Sequence, residues 1–195
     1  MRHFSYLIVI AIYLLCSCSA EQKTELHPFQ QHQKEQHEFM LSDKSPLEKV
    51  DKKNFIALNY FSQDSSFVFK AKYESVFNGR IVEFNTNTDR KPIYIHTGNI
   101  KFNLEKSQFT LKAYQAQNSS DSSLFLPFND FTNGVETYKS GRYLDLIIPE
   151  YDAIILDFNL AYNPYCAYNK KYSCPVPPSE NRLKIEIKAG EKTYH

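Results

Sequence analysis

Tryptophan is absent from the 195-residue chain, and glycine and methionine are scarce, at 5 and 2 residues. No glycine-rich phosphate-binding loop occurs. The sequence also lacks the spacing of a serine–histidine–aspartate triad, of a zinc-protease motif, and of a basic stripe with interleaved aromatic residues. The sequence therefore gives no support for the classes of nucleotide-binding, hydrolytic and nucleic-acid-binding proteins that these motifs define.

An apolar run near the N-terminus is too short to form a permanent membrane helix. It extends over residues 4–15, behind the basic residues Arg2 and His3, which is typical of a bacterial export signal. Cys18 follows an aliphatic and a small residue, so the segment resembles a lipobox, the cleavage site of lipoprotein signal peptidase. We therefore predict a leader over residues 1–17 and a lipid on Cys18. The alternatives are an ordinary secretory leader and an uncut inner-membrane anchor.

The charges of the expected mature chain balance. The whole chain has 23 basic and 22 acidic residues, and the leader removes one arginine and no acid. This balance gives no electrostatic argument for nucleic acid as a partner. The expected membrane contact is the lipid on Cys18, which predicts a place in the cell envelope, on the periplasmic side of a bacterial membrane, with the outer membrane favoured.

The rest of the chain is long enough for one domain with a substantial core. Residues 18–28 are polar and without periodicity, as expected for a flexible tether. A single domain is predicted over residues 29–195, with a helical lead-in over 29–54 and a β body over 55–195. Residues 29–41 favour a short helix, and Ser45 followed by proline favours the start of a second.

Alternation of apolar and polar residues begins at Phe67 and indicates strands with one wet face. Short connections rich in turn-forming residues leave no room for crossover helices, so the strands are expected to be antiparallel. The predicted strands cover residues 67–73, 80–84, 93–96, 100–104, 109–114, 124–128, 142–148, 153–158 and 183–189. The predicted fold class is therefore mainly β, an antiparallel sandwich or open barrel of about nine strands with one or two short N-terminal helices.

Four blocks in the C-terminal half carry a family resemblance. They read LFLPFNDFTNGVETYKSGRYLDL, LDFNLAYNPYCAY, CPVPPSENRL and AGEK, in that order. The chain resembles the domain-of-unknown-function family 1684 of bacterial and archaeal proteins. Its Lys139 and Ser140 replace a glycine that is typical of the family. The resemblance implies no known activity and no known cofactor.

A polar cluster is predicted if residues 142–148 and 153–158 pair as a hairpin with Tyr143 opposite Asp157. One face would then be core, formed by Leu144, Leu146, Ile154, Leu156 and Phe158. The other face would gather Tyr143, Asp145, Asp157 and Asn159. Two carboxylates beside a tyrosine and an amide can raise one another's proton affinity or bind a hard cation such as Ca²⁺.

Three functions are compatible with this cluster. The first is a binding module for a small polar ligand or ion, in which Asp145 and Asp157 act with Glu136, Arg142, Asn159 and Asn163. The second is a hydrolase with Asp157 or Asp145 as general base, Tyr143 as proton donor and Arg142 holding an anion. The third is a structural or protein-interaction module in which the same residues form a polar network.

The only cysteines after Cys18 are Cys166 and Cys174. An exported protein meets an oxidising compartment, so the leading interpretation of this pair is a disulfide. A zinc site would need two further ligands, and the histidines show no metal-type spacing. The sequence leaves the presence of any metal undetermined.

Overall fold

The computed structural model describes residues 27–194, in which two helices precede the sheet: α1 (Pro28–Leu41) and α2 (Lys49–Asn54). The second helix begins later than the serine–proline signal predicts. The hydroxyl of Ser45 accepts a hydrogen bond from the backbone N–H of Leu47 at 3.2 Å, and Leu47 inserts into a small core before the helix starts. Neither helix has the length and apolar character needed to cross a membrane.

Seven strands form one antiparallel sheet, which confirms the fold class. They are β1 (Val68–Ser75), β2 (Ile81–Glu83), β3 (Ile93–Leu104), β4 (Ser107–Ala116), β5 (Ser123–Phe128), β6 (Arg142–Ile147) and β7 (Ala153–Asp157). Two predicted strands are united in β3, because its ladder with β4 continues past an irregularity between His96 and Gly98.

The last predicted strand, residues 183–189, is not a strand in the structure. The side chains of Leu183 and Ile187 are buried, as the alternation predicts. The backbone, however, is bound elsewhere, since the carbonyl groups of Ile187 and Ala189 accept hydrogen bonds from the Arg142 guanidinium. The alternation correctly predicted which side chains are buried and wrongly predicted a ladder.

The sheet is curled, and a later segment of the chain brings its two edges together. The strand order is β6-β5-β4-β3-β1-β7, with β2 paired to β3. After β7 the chain turns through a short 3-10 helix (Phe158–Leu160) and returns to the opposite edge. There Tyr162 exchanges two backbone hydrogen bonds with Tyr143 of β6, at 2.9 and 3.0 Å. This closing contact places residues that follow β7 beside β6.

The main core fills the concave side of the sheet. Its fully buried members include Ile100, Leu111, Leu124, Leu126, Phe128, Leu144, Leu156, Phe158 and Ile187. A second, smaller core contains Met40, Leu47 and Tyr168, with Phe39 and Phe55 packed against it. The second core holds α1 against the tyrosine-rich segment that follows β7, and a groove lies between them.

The turn before β6 accommodates the departure from the family pattern. Gly141 has a φ of +96°, and a Cβ atom there would lie 2.6 Å from the carbonyl oxygen of Phe128, so glycine is needed at this position. Its N–H donates to the carbonyl of Tyr138 at 3.1 Å. Lys139 and Ser140 are therefore spanned by an ordinary hydrogen-bonded turn.

Candidate functional site

The predicted hairpin between residues 142–148 and 153–158 is wrong. β6 pairs with β5, β7 pairs with β1, and the two strands stand at opposite ends of the strand order. Both strands nevertheless contribute to the core through Leu144 and Leu156, as predicted. The alternation correctly predicted which face of each strand is buried. It carries no information about which strand is the hydrogen-bonded neighbour.

Asp157 and Asn159 cap the end of β7 and connect it to a distant loop. One carboxylate oxygen of Asp157 accepts hydrogen bonds from the backbone N–H and the side-chain amide of Asn159, both at 2.8 Å. The Asn159 amide group also pairs with the backbone N–H and carbonyl of Asp64, each at 2.9 Å. Both side chains are buried, so their described contacts are structural.

Tyr143 and Arg142 point into the protein and are bound to backbone carbonyls. The Tyr143 hydroxyl donates to the carbonyl of Pro175, and burial raises its pKa. The Arg142 guanidinium donates to the carbonyls of Ile187 and Ala189 and forms an ion pair with Asp130 at 3.0 Å. With a relative exposure of 0%, Arg142 is unable to meet an anion from solvent.

The side chains of Glu136 and Asn163 have different partners. Glu136 is half-buried and forms an ion pair with Lys188 at 3.4 Å. Asn163 is buried, with its backbone N–H donating to a carboxylate oxygen of Glu191 at 2.8 Å and its side chain donating to the carbonyl of Lys192. Of the seven predicted site residues, only Asp145 and Asn163 line the groove beside α1.

Glu191 is a buried carboxyl group that the sequence pattern did not single out as functional. It receives the N–H of Asn163 and the hydroxyl of Tyr168, and it lies near the unpaired hydroxyl of Tyr60. Desolvation raises its pKa from an ordinary value of 4.5 to about 7. Only its place in the short AGEK block could have drawn attention to it.

The groove has a volume of about 410 Å³, within the range of small-molecule sites. One wall is α1, and the other is the segment from Leu160 to Tyr168. The lining residues are His32, Glu35, Gln36, Phe39, Met40, Asp145, Leu160, Tyr162, Asn163, Tyr165 and Tyr168. Among the described residues that line it, two are acidic and none is a lysine or arginine.

Asp145 lies at the mouth of this groove, on the outer face of β6. Its carboxylate accepts a hydrogen bond from the Tyr162 hydroxyl at 2.7 Å. Although the residue as a whole is exposed, the aromatic side chains around the carboxylate desolvate it and raise its pKa. This hydrogen bond fixes the orientation of a carboxylate that lines the groove.

His32 contributes an acceptor from the opposite wall. Burial lowers its pKa below the ordinary 6.5, so the imidazole is neutral at pH 7. Its Nε2 is buried and has no hydrogen-bond partner in the described part of the chain. In the tautomer that carries the proton on Nδ1, this nitrogen is an acceptor, and it lies beneath the surface of the groove.

The α1 residues of the groove were detectable in the sequence by their spacing. His32, Glu35, Gln36, Phe39 and Met40 stand at positions i, i+3, i+4, i+7 and i+8, which is one face of a helix. Its mixture of polar and aromatic residues distinguishes this face from an ordinary core stripe. The partner wall was not predictable, because it depends on the closing contact between Tyr162 and Tyr143.

Cys166 and Cys174 are buried, neighbouring and not bonded to each other. Both are free cysteines in the structure, so the predicted disulfide is not seen. The backbone N–H of Cys166 donates to the Cys174 sulfur at 3.1 Å, and the Tyr138 hydroxyl lies 3.6 Å from the Cys166 sulfur. Within residues 27–194 no group of three or more histidine, cysteine or carboxylate side chains is arranged to hold a metal ion.

Comparison with known proteins now identifies the family. A family described as "Protein of unknown function (DUF1684)" matches residues 53–192. The chain belongs to this family. The match starts at the end of α2 and includes all seven strands, both free cysteines and Glu191, so α1 and its wall of the groove precede the matched region.

A solved structure of similar fold comes from a haloarchaeon. It is the solution NMR structure of the uncharacterized protein from gene locus rrnAC0354 of Haloarcula marismortui, 34% identical, with a TM-score of 0.70 over 84% of this chain and 91% of that one. A search of curated proteins finds no match. The comparisons therefore establish the family and the fold.

Proposed function

We propose that this DUF1684 protein is a binding module for a small organic cation, held in the groove between α1 and the tyrosine-rich segment. The observation that carries the proposal is the charge of the lining, because the part of it formed by residues 27–194 contains Asp145 and Glu35 and no lysine or arginine. A ligand with a positive charge would satisfy the Asp145 carboxylate, whose partner among the described residues is a neutral hydroxyl.

Aromatic side chains in the groove support a cation over a neutral polar ligand. Tyr165 stacks on Phe39 of α1, with ring centroids 5.8 Å apart, and Tyr162 stands at right angles to Tyr143 at 5.9 Å. An ammonium group is attracted to the faces of such rings, and this attraction strengthens where water is partly excluded. The same rings give the alkyl part of a ligand an apolar surface.

The neutral His32 supports the same ligand class. A protonated imidazole would repel a cation, whereas the neutral ring has an unused acceptor at Nε2. An alkylammonium group has three N–H donors and no acceptor. Asp145 from β6 would bind one of these donors, and a rotation of the His32 ring would bring its Nε2 from the opposite wall to a second.

The lipid anchor belongs to the same proposal. The leader and Cys18 precede the described residues, and their support is the lipobox-like sequence alone. A lipid on Cys18 would tether the domain, through the polar residues 19–26, to the periplasmic face of a bacterial membrane. The outer membrane is the favoured one. The groove would then sample small solutes of the cell envelope.

The hydrolase hypothesis has less support. Its proposed proton donor Tyr143 and its proposed anion site Arg142 are both bound to backbone carbonyls inside the domain. Asp157 is committed to capping Asn159. A purely structural role accounts for these three residues, but it does not account for the unpaired acceptor and the uncompensated acids of the groove.

The proposal can be tested by titrating the chain from Ser19 onward with n-butylammonium and following backbone amide chemical shifts. We expect shifts to concentrate at His32, Asp145 and Tyr162. The Asp145→Asn variant should weaken binding at least about tenfold, which corresponds to about 1.4 kcal/mol. Asp89→Asn, at an exposed position outside the groove, is the matched control and should bind like the wild type. Shifts scattered over the surface, or equal weakening in both variants, would reject the groove as the site.

A further inference from the structure

The two cysteines lie together because both ends of their loop are fixed. Cys166 belongs to a short 3-10 helix, Tyr165–Ala167, which follows Pro164. Cys174 is held by its backbone N–H, which donates to the side chain of Asn87 at 2.8 Å. The Cys166 N–H donates a hydrogen bond to the Cys174 sulfur at 3.1 Å, so the two side chains are neighbours.

The two sulfurs have different environments. The Cys166 sulfur has the Cys174 thiol and the Tyr138 hydroxyl as donors, and these lower its pKa to about 7. The same hydrogen bond raises the pKa of Cys174, in which burial acts in the same direction. The pair is therefore asymmetric, and Cys166 loses its proton more readily than Cys174 does. A structural disulfide needs no such asymmetry.

Cys166 has a route to solvent that suits a small zwitterion. It lines a cavity of about 520 Å³, which lies beside α2 and is separate from the groove. The cavity also contains the cations Lys139 and Lys170 and the carboxylates Glu48 and Asp51. A small molecule that bears both amino and carboxylate groups would find partners of opposite charge on these walls.

We propose that Cys166 and Cys174 form a thiol–disulfide exchange pair that reduces a small zwitterionic disulfide, with Cys166 as the attacking thiolate and Cys174 as the resolving thiol. This activity is independent of the cation site. The Cys166–Cys174 disulfide that the sequence predicts would be the product of this exchange.

The exchange balances in two steps. The Cys166 thiolate attacks one sulfur of the disulfide R–S–S–R, the S–S bond breaks, and one R–S⁻ leaves and takes a proton from solvent. Cys174 then loses its proton to solvent and attacks the Cys166 sulfur, which releases the second R–S⁻ and forms the protein disulfide. Two electrons pass from the dithiol to the small disulfide, which is the oxidant.

Tyr138 acts as a positioning residue in this scheme. Its hydroxyl donates to the Cys166 sulfur and stabilises the thiolate that attacks. Tyr138→Phe should therefore shift the pH midpoint of the exchange rate upward. A role limited to packing would change stability and leave that midpoint in place.

The test uses oxidised glutathione as the probe and the reduced chain from Ser19 onward, in which Cys166 and Cys174 are the only cysteines. This chain contains every contact described above. We expect the intact mass to fall by two hydrogens. Cys174→Ser should stop at a mixed disulfide, one glutathionyl group on Cys166, and Cys166→Ser should react at least roughly tenfold more slowly.

The proposal is overturned if Cys174→Ser forms no adduct, or if Cys166→Ser reacts as fast as Cys174→Ser. Should either serine variant fail to fold by circular dichroism, acid quenching of the wild-type reaction at short times decides instead. Peptide mapping must then find the first glutathionyl group on Cys166, and its appearance on Cys174 would overturn the assignment.

Discussion

Arg142 is the largest fully buried side chain in the described structure, and its surroundings explain its place in the sequence. A buried guanidinium is costly unless its charge is paired and most of its donors are bound. Three backbone carbonyls and Asp130 bind the two terminal nitrogens of Arg142, while its Nε has no partner among the described residues. The cation also stands over the ring of Phe128 at 5.3 Å. The sequence indicated that Arg142 is a fixed cation, but it did not indicate that the side chain points into the core. The three carbonyl groups that accept its hydrogen bonds belong to residues 45 to 49 positions later.

We expect Arg142→Lys to lower the free energy of unfolding by about 3 kcal/mol, because an ammonium group lacks the planar fork that reaches these acceptors. Urea unfolding of the chain from Ser19 onward measures the change. Arg182→Lys, at an exposed arginine, is the control and should change stability by less than about 0.5 kcal/mol. Equal stability of the wild type and Arg142→Lys would contradict the structural role.

Glu191 makes the stability of the domain depend on pH. Its pKa is about 7 in the folded protein against an ordinary 4.5, so the folded state binds this proton more tightly than the unfolded chain does. Stability therefore falls as pH rises from about 4.5 to about 7, with a total on the order of 3 kcal/mol. His32 acts in the opposite direction, because its pKa is lowered in the folded state.

Comparison with Glu191→Gln isolates this effect, since the contribution of His32 is common to both proteins. We expect the wild type to lose stability relative to Glu191→Gln between pH 5 and pH 8, as measured by urea unfolding at each pH. The control, Glu150→Gln at an exposed turn, should follow the wild type. Parallel pH profiles for the wild type and Glu191→Gln would show that Glu191 titrates normally.

For the secondary-structure elements, the sequence predicted where the strands lie along the chain better than which strands pair with one another. Alternation predicted the regions of all seven strands and the buried faces of β6 and β7, because burial imposes a period of two along each strand. Alternation carries no information about which strand lies alongside, so the hairpin between β6 and β7 was wrong. The groove depends on this long-range pairing, and for that reason the predicted site residues were only partly brought together.

Side-chain amides replace ladder contacts where irregular segments meet the sheet. Asn181 accepts the N–H of Lys112 at 2.8 Å and donates to the carbonyls of Lys112 and Pro127, at 2.8 and 2.7 Å. It thereby joins the final segment to β4 and β5 in the manner of an extra strand residue.

We expect Asn181→Asp to cost roughly 2 to 4 kcal/mol, since a carboxylate would face two carbonyl oxygens without a donor to offer. Thermal unfolding of the chain from Ser19 onward at pH 7.5 gives the measurement. Asn118→Asp carries the same charge change at an exposed position and should be nearly neutral. If both variants unfold at the same temperature, the amide does not join these elements.

At the scale of the whole molecule, a curled sheet, one helix and a returning segment create a groove on a domain of balanced charge. The helix α1 is the first described element and directly follows the proposed tether. This arrangement would bring one wall of the groove near the membrane surface if Cys18 carries a lipid. The groove is thus linked in sequence to the proposed anchor.

We expect Cys18→Ala to abolish both acyl labelling and recovery in the membrane fraction, because the lipid is attached to this sulfur. Cell fractionation and labelling with an alkyne-bearing fatty acid provide the measurement. Cys16→Ala is the matched control and should still be labelled. Labelling that persists in Cys18→Ala would show that the lipid is attached to another residue and that the predicted lipobox is wrong.

The most direct test of the central claim is calorimetric titration of the chain from Ser19 onward with three ligands of similar size but different charge. At pH 7.5 we expect n-butylammonium to bind most tightly, neutral n-butanol more weakly and butyrate least, because Asp145 and Glu35 favour positive charge in the groove. Butyrate binding as tightly as butylammonium, or heats of zero for all three, would contradict a cation site.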